Sequence, residues 1–309
     1  MKALKLIILL AMAATVVSCS DVTPTARLRS AYYWSTTLNA DSATTAFINA
    51  HAIGRLYVRY FDVVMSADGR PQPNATLRFA TPMPGGVEIV PTVFVTPQCM
   101  HADRARLAAL IVKRVLQIGT THNVKGVKEI QVDCDWTSST RRAYSDFMSH
   151  MLRECHARHL RLSATIRLHQ LAQTPPPADR GVLMVYNTGD VTTPSDRNPI
   201  LDMRDVAPYL SRLASYKLPL AAAYPMFSWR VLYRGGRFVG IVHRRDEYPM
   251  IPGDSLALQR ASVDEVLRAE RAVSRRRRDT AAETVIYDIS DNNLKQFKHQ
   301  DYEKVYNCH

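Results

Sequence analysis

A short segment with polar side chains at every second position constrains the fold more than any other feature of this 309-residue chain. If the segment EIQVDCDW is a β-strand, four polar side chains point to one of its faces: Glu129, Gln131, Asp133 and Asp135. Carboxylates on a buried strand face are costly unless they are hydrogen-bonded, solvated or used in a site. The helix-capping sequence TSST and a predicted helix follow directly. A strand that ends in acids and turns into a helix is typical of the active-site end of a β/α barrel. The alternative is that the two aspartates cap the helix or pair with basic residues in its first turn.

Strand-like and helix-like segments alternate along the rest of the chain, which predicts an α/β fold. The predicted strands are residues 31–37, 55–61, 87–96, 127–135, 161–169, 181–187, 218–224 and 285–289. The clearest predicted helices are residues 102–117, 141–159, 205–215, 256–277 and 293–305. Eight strands with interposed helices predict a single-domain (β/α)8 TIM-like barrel. An open doubly wound sheet is the competing arrangement, but its GxGxxG or GxxxxGK[ST] phosphate loop does not occur.

One further segment predicts an insertion in this barrel. Residues 229–242 are strand-like on both sides of Gly235-Gly236, which is a frequent turn sequence in two-residue hairpins. We therefore expect a β-hairpin after the seventh strand.

The N-terminus predicts export and lipidation. Lys2 and Lys5 precede an apolar stretch at residues 6–17 that is too short to span a bilayer. The stretch ends in Val-Val-Ser-Cys19, which resembles a bacterial lipobox; the alternative is an ordinary signal peptide with a chance cysteine. We expect a signal peptide at residues 1–18, lipidated Cys19 and a tether at 19–30, and the barrel at 31–309. Two or more acyl chains on Cys19 would attach the protein stably to a bacterial membrane of the cell envelope, the outer membrane more readily than the inner.

Neither a metal site nor a cofactor is expected. The four cysteines after the leader are Cys99, Cys134, Cys155 and Cys308, and their spacing matches no zinc motif. An exported protein can hold a disulfide between Cys134 and Cys155, but free buried thiols are the favoured state.

The formal net charge of +12 raises the question of an anionic partner. Much of this charge is in one run at the end of a predicted helix: Arg275, Arg276, Arg277 and Arg278. Basic residues at a helix C-terminus favour the helix dipole and are usually solvated. Nucleic acid is not an expected partner for an exported protein, whereas anionic lipid headgroups or acidic glycans at these arginines remain an alternative.

Polar and aromatic residues are concentrated where the predicted strands end. Because the carboxyl ends of barrel strands meet at one rim, these residues are expected to line one site. Asp133 and Asp135 are the candidate catalytic carboxylates. The candidate substrate-binding residues are Trp34, Arg59, Trp136, Arg167, His169, Tyr186, Asn187, Tyr224, Trp229 and Asp288. Aromatic rings that stack on pyranose faces, flanked by carboxylates, are typical of a sugar site.

The sequence VDCDW resembles the fourth-strand motif of family-eighteen, chitinase-like glycoside hydrolases. In that motif aspartates alternate along the strand, and a glutamate follows the Asp-Trp pair. The resemblance places Asp133 and Asp135 at the last two aspartates and Trp136 at the aromatic residue. Thr137 stands where the family has its catalytic glutamate, and a threonine hydroxyl is not a useful proton donor. The resemblance thus implies a carbohydrate ligand, and it implies either a different acid or no catalysis.

The chain also resembles a group of lipoproteins of Bacteroides-type bacteria, which share phrases such as DCDWT, SATIRLHQL and VLMVYNTG. This second resemblance supports the compartment and the barrel, not a reaction.

Three functions compete on these observations. The leading one is a membrane-anchored glycosidase with Asp133 and Asp135 as its acids. The others are a non-catalytic glycan-binding lipoprotein on the same barrel and a structural protein of the cell envelope.

Overall fold

The computed structural model describes residues 27–193, 195–242 and 247–308, apart from the side chains of residues 291 and 292. The predicted signal peptide, Cys19 and most of the predicted tether lie outside the described residues. The first strand begins at Leu28, within the segment that the sequence assigned to the tether. The barrel therefore starts three residues earlier than expected.

Eight parallel strands form a closed barrel, so the predicted (β/α)8 fold is confirmed. Closure is achieved by the first strand, which pairs in parallel with both the second and the eighth. The strands are β1 Leu28–Tyr33, β2 Arg55–Met65, β3 Glu88–Val95, β4 Glu129–Asp133, β5 Arg161–Arg167, β6 Arg180–Met184, β7 Leu220–Pro225 and β8 Glu283–Tyr287. Outside the barrel, Pro71–Asn74 pairs antiparallel with the end of β2, and Thr37–Leu38 pairs with Arg78–Phe79.

Helices surround the barrel. They are α1 Ser42–Ala50, α2 Arg104–Thr121, α3 Arg141–His156, α4 Met203–Val206, α5 Leu210–Leu213, α6 Val263–Arg276, α7 Asp291–Leu294 and α8 His299–Tyr306. Short 3-10 segments lie at Pro97–His101, Leu168–Ala172, Ala207–Tyr209 and Arg278–Ala282. Within the described part of the chain, no helix combines the length and the apolar character that a membrane span needs.

Three of the predicted helices differ from the observed ones. The helix expected at 205–215 is interrupted by the 3-10 segment that contains Pro208, since proline cannot donate an intrahelical hydrogen bond. The helix expected at 293–305 is divided into α7 and α8. The helix expected at 256–277 begins only at Val263, because Asp254–Arg260 is a strand.

The expected hairpin is present after β7 and has an additional third strand. Ser228–Arg234 pairs antiparallel with Arg237–Val242 across the Gly235-Gly236 turn, where both glycines have positive φ. Its other edge pairs with Asp254–Arg260. This three-stranded sheet, called the rim sheet below, stands beside the C-terminal ends of the barrel strands.

The N-terminal end of the barrel is filled by a buried charged cluster. Glu283 accepts hydrogen bonds from Ser30 Oγ at 2.6 Å, Tyr57 Oη at 2.9 Å and Arg55 at 2.8 Å, and it also pairs with Arg180. Burial alone would raise the pKa of Glu283, but the charges of Arg180 and Arg55 lower it. This end of the barrel is thus closed, and a ligand must approach from the opposite end.

The outward face of β4 packs under the helices, as the alternation of its residues predicts. Ile130 and Val132 are fully buried, and Cys134 continues this face. Cys99, Cys134, Cys155 and Cys308 are free and buried, so no disulfide links Cys134 to Cys155. The inward face contains Glu129, Gln131 and Asp133, and it leads to the open end of the barrel.

Candidate functional site: a cleft at the C-terminal rim

Asp133 lies at the open end of the barrel but below its surface. Its side chain is almost fully buried and accepts a hydrogen bond from Thr165 Oγ1 on β5 at 2.6 Å. Burial raises the pKa of the Asp133 carboxyl, and the positive charge of Arg167 offsets only part of this effect. The neutral acid is therefore favoured at Asp133 to a higher pH than at an ordinary aspartate.

Asp135 is in a different environment, although it is only two residues further along. Half of its side-chain surface is exposed, and its Oδ1 accepts a hydrogen bond from Arg167 Nε at 2.6 Å. Arg167 is thus bonded to Asp135, which is in contact with solvent, and its charge also acts on the buried Asp133. Surroundings that treat two neighbouring acids differently are a feature of acid–base sites.

Aromatic rings form a floor at the same rim. Tyr287, at the end of β8, is at the centre of this floor and stacks on Tyr186 with 4.6 Å between ring centroids. Its ring also contacts Trp34 at 5.9 Å and Phe227 at 5.6 Å. Trp229 extends the floor from Phe227 at 5.4 Å. Rings at the ends of four barrel strands and on the rim sheet are therefore in contact with one another. Trp34, Tyr287 and Trp229 are partly exposed, whereas Tyr186 and Phe227 are 2% and 3% exposed and pack beneath them. The exposed rings suit the apolar faces of sugar rings.

Two cavities adjoin above this floor, and together they are called the rim cleft. One, of about 780 Å³, is lined by Trp34, Trp229, Tyr287, Asp288 and residues of the rim sheet. The other, of about 470 Å³, is lined by Asp135, Thr137, Arg167, His169, Tyr186 and Asn187. Tyr186 lines the smaller cavity and Tyr287 lines the larger one, and because their rings are stacked the two cavities are neighbours. Their volumes are in the range of small-molecule sites.

Arg59 and Asp62 complete one side of the floor. Arg59 Nε donates to Asp62 Oδ1 at 2.8 Å, and its guanidinium group lies over the Trp34 ring at 5.5 Å. Residues three apart on a regular strand point to opposite faces, but a register shift between Arg59 and Phe61 brings Asp62 to the same side. A β-bulge at the rim thus orients a charged pair against a tryptophan.

The structure brings most of the predicted substrate-binding residues together. Trp34, Arg167, His169, Tyr186, Asn187, Trp229 and Asp288 line the rim cleft, and Arg59 packs on Trp34. The strand β5 ends at Arg167, and His169 is in the following 3-10 turn rather than on the strand face expected from the sequence. Burial lowers the pKa of His169, and the nearby charge of Arg167 lowers it further.

Two predicted substrate-binding residues do not reach the rim cleft. Trp136 is 1% exposed and stacks on Tyr144 of α3 with 5.7 Å between centroids. It continues the outward face of β4, so it is part of the core between barrel and helices. Tyr224 is in register with Ile286 on the outward side of β7 and β8 and is 2% exposed. The prediction that these two residues line the rim is wrong, because the parity of each residue along its strand directs its side chain away from the rim.

Thr137 and Asp288 bear on whether the cleft holds a proton donor. Thr137 lines the smaller cavity, and its hydroxyl shares a hydrogen bond with Ser139 at 2.8 Å. Asp288 lines the larger cavity, where its Oδ1 accepts hydrogen bonds from Asn293 and, at 2.9 Å, from Ser290 Oγ. Burial raises the pKa of Asp288, although these hydrogen bonds counteract the shift. The position of the family's glutamate therefore holds no acid, while Asp288 is a carboxyl group on the cleft wall.

Sequence reasoning missed Tyr287 and Thr165. Tyr287 shares the inward face of β8 with Glu283 and Val285, but the strand predicted at residues 285–289 began only at Val285, and Asp288 was the candidate taken from it. The alternation of Glu283, Val285 and Tyr287 was the available signal. No sequence signal indicates the hydrogen bond of Thr165 to Asp133. The hydroxyl of Tyr186 is buried and has no hydrogen-bond partner among the described residues.

One group among the described residues has the composition of a metal site. His51, His299 and Glu303 have ligand atoms within 4.8 Å of one another, outside the rim cleft. His51 Nδ1 is 2.6 Å from Glu303 Oε1, which also accepts from Arg29 at 3.1 Å. The two imidazole rings are stacked at 4.3 Å and 27°, so their in-plane lone pairs do not converge on one point. The arrangement is that of a hydrogen-bonded structural cluster.

No family model and no curated protein matches this chain. Solved structures match its fold. A chitinase from Chromobacterium violaceum aligns over 91% of this chain and 98% of its own length, with TM-score 0.59 and 14% sequence identity. A class V chitinase from Pseudomonas fluorescens gives the same coverage, with TM-score 0.57 and 15% identity. The spore cortex-lytic enzyme SleL of Bacillus megaterium covers 90% of this chain and 73% of its own, with TM-score 0.56 and 11% identity.

One similar structure contains an oligosaccharide. It is a mutant of the second catalytic domain of the Group II chitinase from Ostrinia furnacalis, in complex with penta-N-acetylchitooctaose, with TM-score 0.53 and 10% identity over 91% of this chain and 96% of its own. At identities this low, similarity establishes the fold only. The chain therefore has a (β/α)8 barrel that is similar in fold to the barrels of these chitinases.

Proposed function

We propose that the rim cleft binds a glycan and that recognition of a carbohydrate is the function of this barrel. The observation that carries the proposal is the aromatic floor formed by Trp34, Tyr287, Tyr186, Phe227 and Trp229. Rings of this kind stack on sugar faces, and the surrounding Asp135, Arg167 and Asn187 offer charged and polar hydrogen-bonding groups to hydroxyls. The Tyr186 hydroxyl, which is buried and has no hydrogen-bond partner among the described residues, is a further polar group beside the smaller cavity.

Non-catalytic binding accounts best for the carboxylates. A glycosidase needs an acid that reaches the glycosidic oxygen and a second carboxylate that reaches the sugar from the other side. Asp133 has the raised pKa of an acid but is 3% exposed, below the level at which a sugar would lie. Asp135 is accessible but is held by Arg167. With Thr137 in the place of the family's glutamate, no second carboxyl group adjoins Asp135 in the smaller cavity among the described residues.

Glycoside hydrolysis is the second candidate. It is supported by the different environments of Asp133 and Asp135 and by Asp288, whose pKa is raised by burial and which lines the larger cavity. On this candidate, a rearrangement of the glycan or of Arg167 would give Asp135 access to the anomeric carbon, and a second carboxyl would act as the acid. The barrel types of the similar structures are compatible with either candidate.

The two candidates are separated by binding and turnover measured on the same glycan panel. For a binder, calorimetry detects association while no glycan is cleaved, and Thr137→Glu supplies a carboxyl group from which weak hydrolysis can arise. For a hydrolase, wild-type protein cleaves at least one glycan, and Asp135→Asn reduces turnover by a factor of about 100 or more while binding survives. The proposal of a glycan site fails if the wild type neither binds nor cleaves any member of a broad panel.

We also propose that the protein is tethered to a bacterial membrane through Cys19. The basis is the lipobox-like sequence that ends in Cys19, together with the place where the chain enters the barrel. Leu28 begins β1 at the N-terminal end of the barrel, opposite the rim cleft. The exposed Arg275 and Arg276, in the last turn of α6, and Arg278, in the 3-10 segment before β8, lie at this same end, where anionic headgroups would be within reach of their charges. A tether at this end would direct the cleft away from the membrane.

A further inference from the structure

The larger cavity of the rim cleft has basic groups on its wall. Arg230 and Arg260, both on the rim sheet, and Lys295, which follows α7, line this cavity and are exposed. Arg230 is paired across strands with Leu258, and Ser228 is paired with Arg260, so the two arginines belong to one face of the sheet. The insertion therefore presents two guanidinium groups to the same cavity as the aromatic floor.

The charges of these two arginines are not neutralised by the described part of the protein. Arg234, on the same strand as Arg230, pairs with Asp254 at 2.8 Å, whereas neither Arg230 nor Arg260 has a carboxylate within 4.0 Å among the described residues. The only described acid that lines the cavity is Asp288, whose pKa is raised by burial and whose Oδ1 is occupied by Asn293 and Ser290. The charge of Lys295 also acts on Asp41, whose pKa it helps to lower. Lys295 is therefore not included among the cavity's unpaired positive charges.

Arg260 is also fixed in position. One of its terminal amino groups donates to the backbone carbonyl of Gln296, and its guanidinium group lies over the Phe297 ring at 4.4 Å. A guanidinium group that is already held in place loses less conformational freedom when it binds a carboxylate or a sulfate. Its remaining N–H groups are thus preorganised donors at the edge of an aromatic sugar-binding surface.

The arginine run at the other end of the barrel does not share these features. Arg277 donates to the backbone carbonyls of Leu213, Tyr216 and Leu218 and pairs with Asp279, which makes it a structural residue. No cavity described at this end combines the run with aromatic rings. An acidic glycan is therefore better matched by the rim cleft than by residues 275–278, where the sequence first suggested it.

We infer that the rim cleft is built for a glycan that carries carboxylate or sulfate groups, with the acidic group held by Arg230 and Arg260 and the sugar rings on the aromatic floor. This inference rests on the proposed function and adds to it the chemical class of the ligand. Arginine is suited to this task because its planar donors match a carboxylate or a sulfate in a bidentate manner.

The test compares oligosaccharides that differ only in charge. An α-1,4-linked galacturonic acid oligomer and its neutral methyl ester form one matched pair, which tests a carboxylate. Carboxyl-reduced chondroitin sulfate oligomers and their neutral desulfated products form a second pair, which tests a sulfate. Titration calorimetry on the full-length protein at low and physiological salt gives each dissociation constant. We expect the wild type to favour an acidic member over its neutral partner by about tenfold or more, with the preference reduced by salt.

Variants assign the preference to the two arginines. The double variant Arg230→Gln/Arg260→Gln is expected to bind the acidic and the neutral member of each pair with equal affinity. Arg230→Lys/Arg260→Lys keeps the charge and should keep part of the preference. Arg237→Gln, at the hairpin end of the same sheet and outside the cavity lining, is the matched control and should leave the preference unchanged. Thermal unfolding shows that each variant is folded.

The outcomes distinguish the two proposals. Equal affinity of the wild type for both members of each pair would overturn the acidic-glycan inference and leave glycan binding intact. A preference that survives in the double glutamine variant would overturn the assignment to Arg230 and Arg260. If the wild type binds neither acidic nor neutral glycans, the proposed function itself fails, and this inference fails with it.

Discussion

Asp133 and Asp135 show how strongly position along one strand controls the chemistry of a carboxyl group. Asp133 is buried and accepts a hydrogen bond from Thr165, whereas Asp135 is half exposed and is paired with Arg167. The same residue type therefore supplies a group with a raised pKa and, a few ångströms away, an accessible anion. The two are suited to different tasks. Asp133 holds Thr165 by a hydrogen bond beneath the cleft, whereas Asp135 is exposed and can contact a ligand.

The raised pKa of Asp133 gives a pH dependence of stability. The unfolded chain ionises this carboxyl near its ordinary pKa of 3.8, while the folded state resists ionisation because of burial. The wild type therefore loses stability as the pH rises above that value. Asp133→Asn keeps an oxygen that accepts from Thr165 and cannot ionise, so we expect its stability relative to wild type to increase between mildly acidic and neutral pH.

Urea unfolding of Asp133→Asn and wild type at several pH values measures this difference. Asp68→Asn, at an exposed turn, controls for the loss of an acid that is not buried. If the stability difference between wild type and Asp133→Asn were the same at every pH, the carboxyl would not be titrating against its burial, and the proposed environment of Asp133 would be wrong.

The three tryptophans provide a second test at the residue scale. Trp34 and Trp229 line the rim cleft, whereas Trp136 is in the core. Removal of a stacking ring should cost about 1 kcal/mol of binding free energy, so Trp34→Ala and Trp229→Ala should each weaken glycan binding by roughly five- to tenfold. Trp136→Phe should lower the melting temperature by leaving a small cavity, with no change in affinity. Equal loss of affinity in all three variants would contradict the assignment of the aromatic floor.

At the scale of elements, the two ends of the barrel strands have different tasks. The N-terminal ends hold the buried cluster around Glu283, and the C-terminal ends hold the rim cleft. Division of this kind is usual in β/α barrels, where one end contributes stability and the other carries the site. The five residues of β4 show this division, because Glu129 at its start belongs to the buried charged end and Asp133 at its end belongs to the open end.

The cluster at the N-terminal end should be sensitive to the loss of a single charge. Glu283→Gln removes the partner of both Arg55 and Arg180 at a site with little exposed surface. We expect the variant to be less stable by about 3 kcal/mol, because two buried arginines lose their main counter-charge. Glu154→Gln, which breaks the exposed pair with Arg158, is the control and should cost less than about 1 kcal/mol. Denaturant unfolding measures both, and a loss for Glu283→Gln no larger than the control would contradict the structural role of the cluster.

The alternation of polar and apolar residues predicted the barrel strands. It did not predict elements that form only through pairing with distant parts of the chain. The polar face of β4 and the alternation of strands and helices were predicted because each strand has one face inside the barrel. Residues 256–260 of the strand Asp254–Arg260 were predicted as helix. Among the described residues this strand pairs with Ser228–Arg234, whose residues lie 20 to 32 positions before their partners, so no local pattern reports the pairing. The helix α1 was missed because its sequence SATTAFINA is rich in weak helix formers, and the structure begins it with a cap at Asp41.

The candidate site could be predicted to the level of the rim but not of each side chain. Strand ends indicated Trp34, Arg167, Tyr186 and Trp229, because a barrel brings those ends together. For Trp136 and Tyr224 the error is one of parity. A shift of one residue moves a side chain from one face of a strand to the other, and no local signal shows where a strand passes into a loop.

In the whole molecule, the proposed lipid tether enters at one end of the barrel and the proposed glycan cleft lies at the other. The N-terminal anchor is tested by Cys19→Ser, which should abolish incorporation of labelled fatty acid and release the protein from the membrane fraction. Wild-type protein without fatty-acid label, together with a variant that still sediments with membranes, would contradict the lipid anchor. Cys99→Ser is a control for replacement of a cysteine, since this thiol is buried in the barrel domain.

The central claim is that the aromatic floor of the rim cleft holds the sugar rings. The most direct measurement is a crystal structure of the protein with the oligosaccharide that binds most tightly in the glycan panel. If the rim cleft is the glycan site, we expect electron density for sugar rings in contact with the faces of Trp34, Tyr287 or Trp229. The sugar hydroxyls should lie within hydrogen-bonding distance of Asp135 or Asn187. An oligosaccharide bound elsewhere on the barrel, with the rim cleft unoccupied, would contradict it.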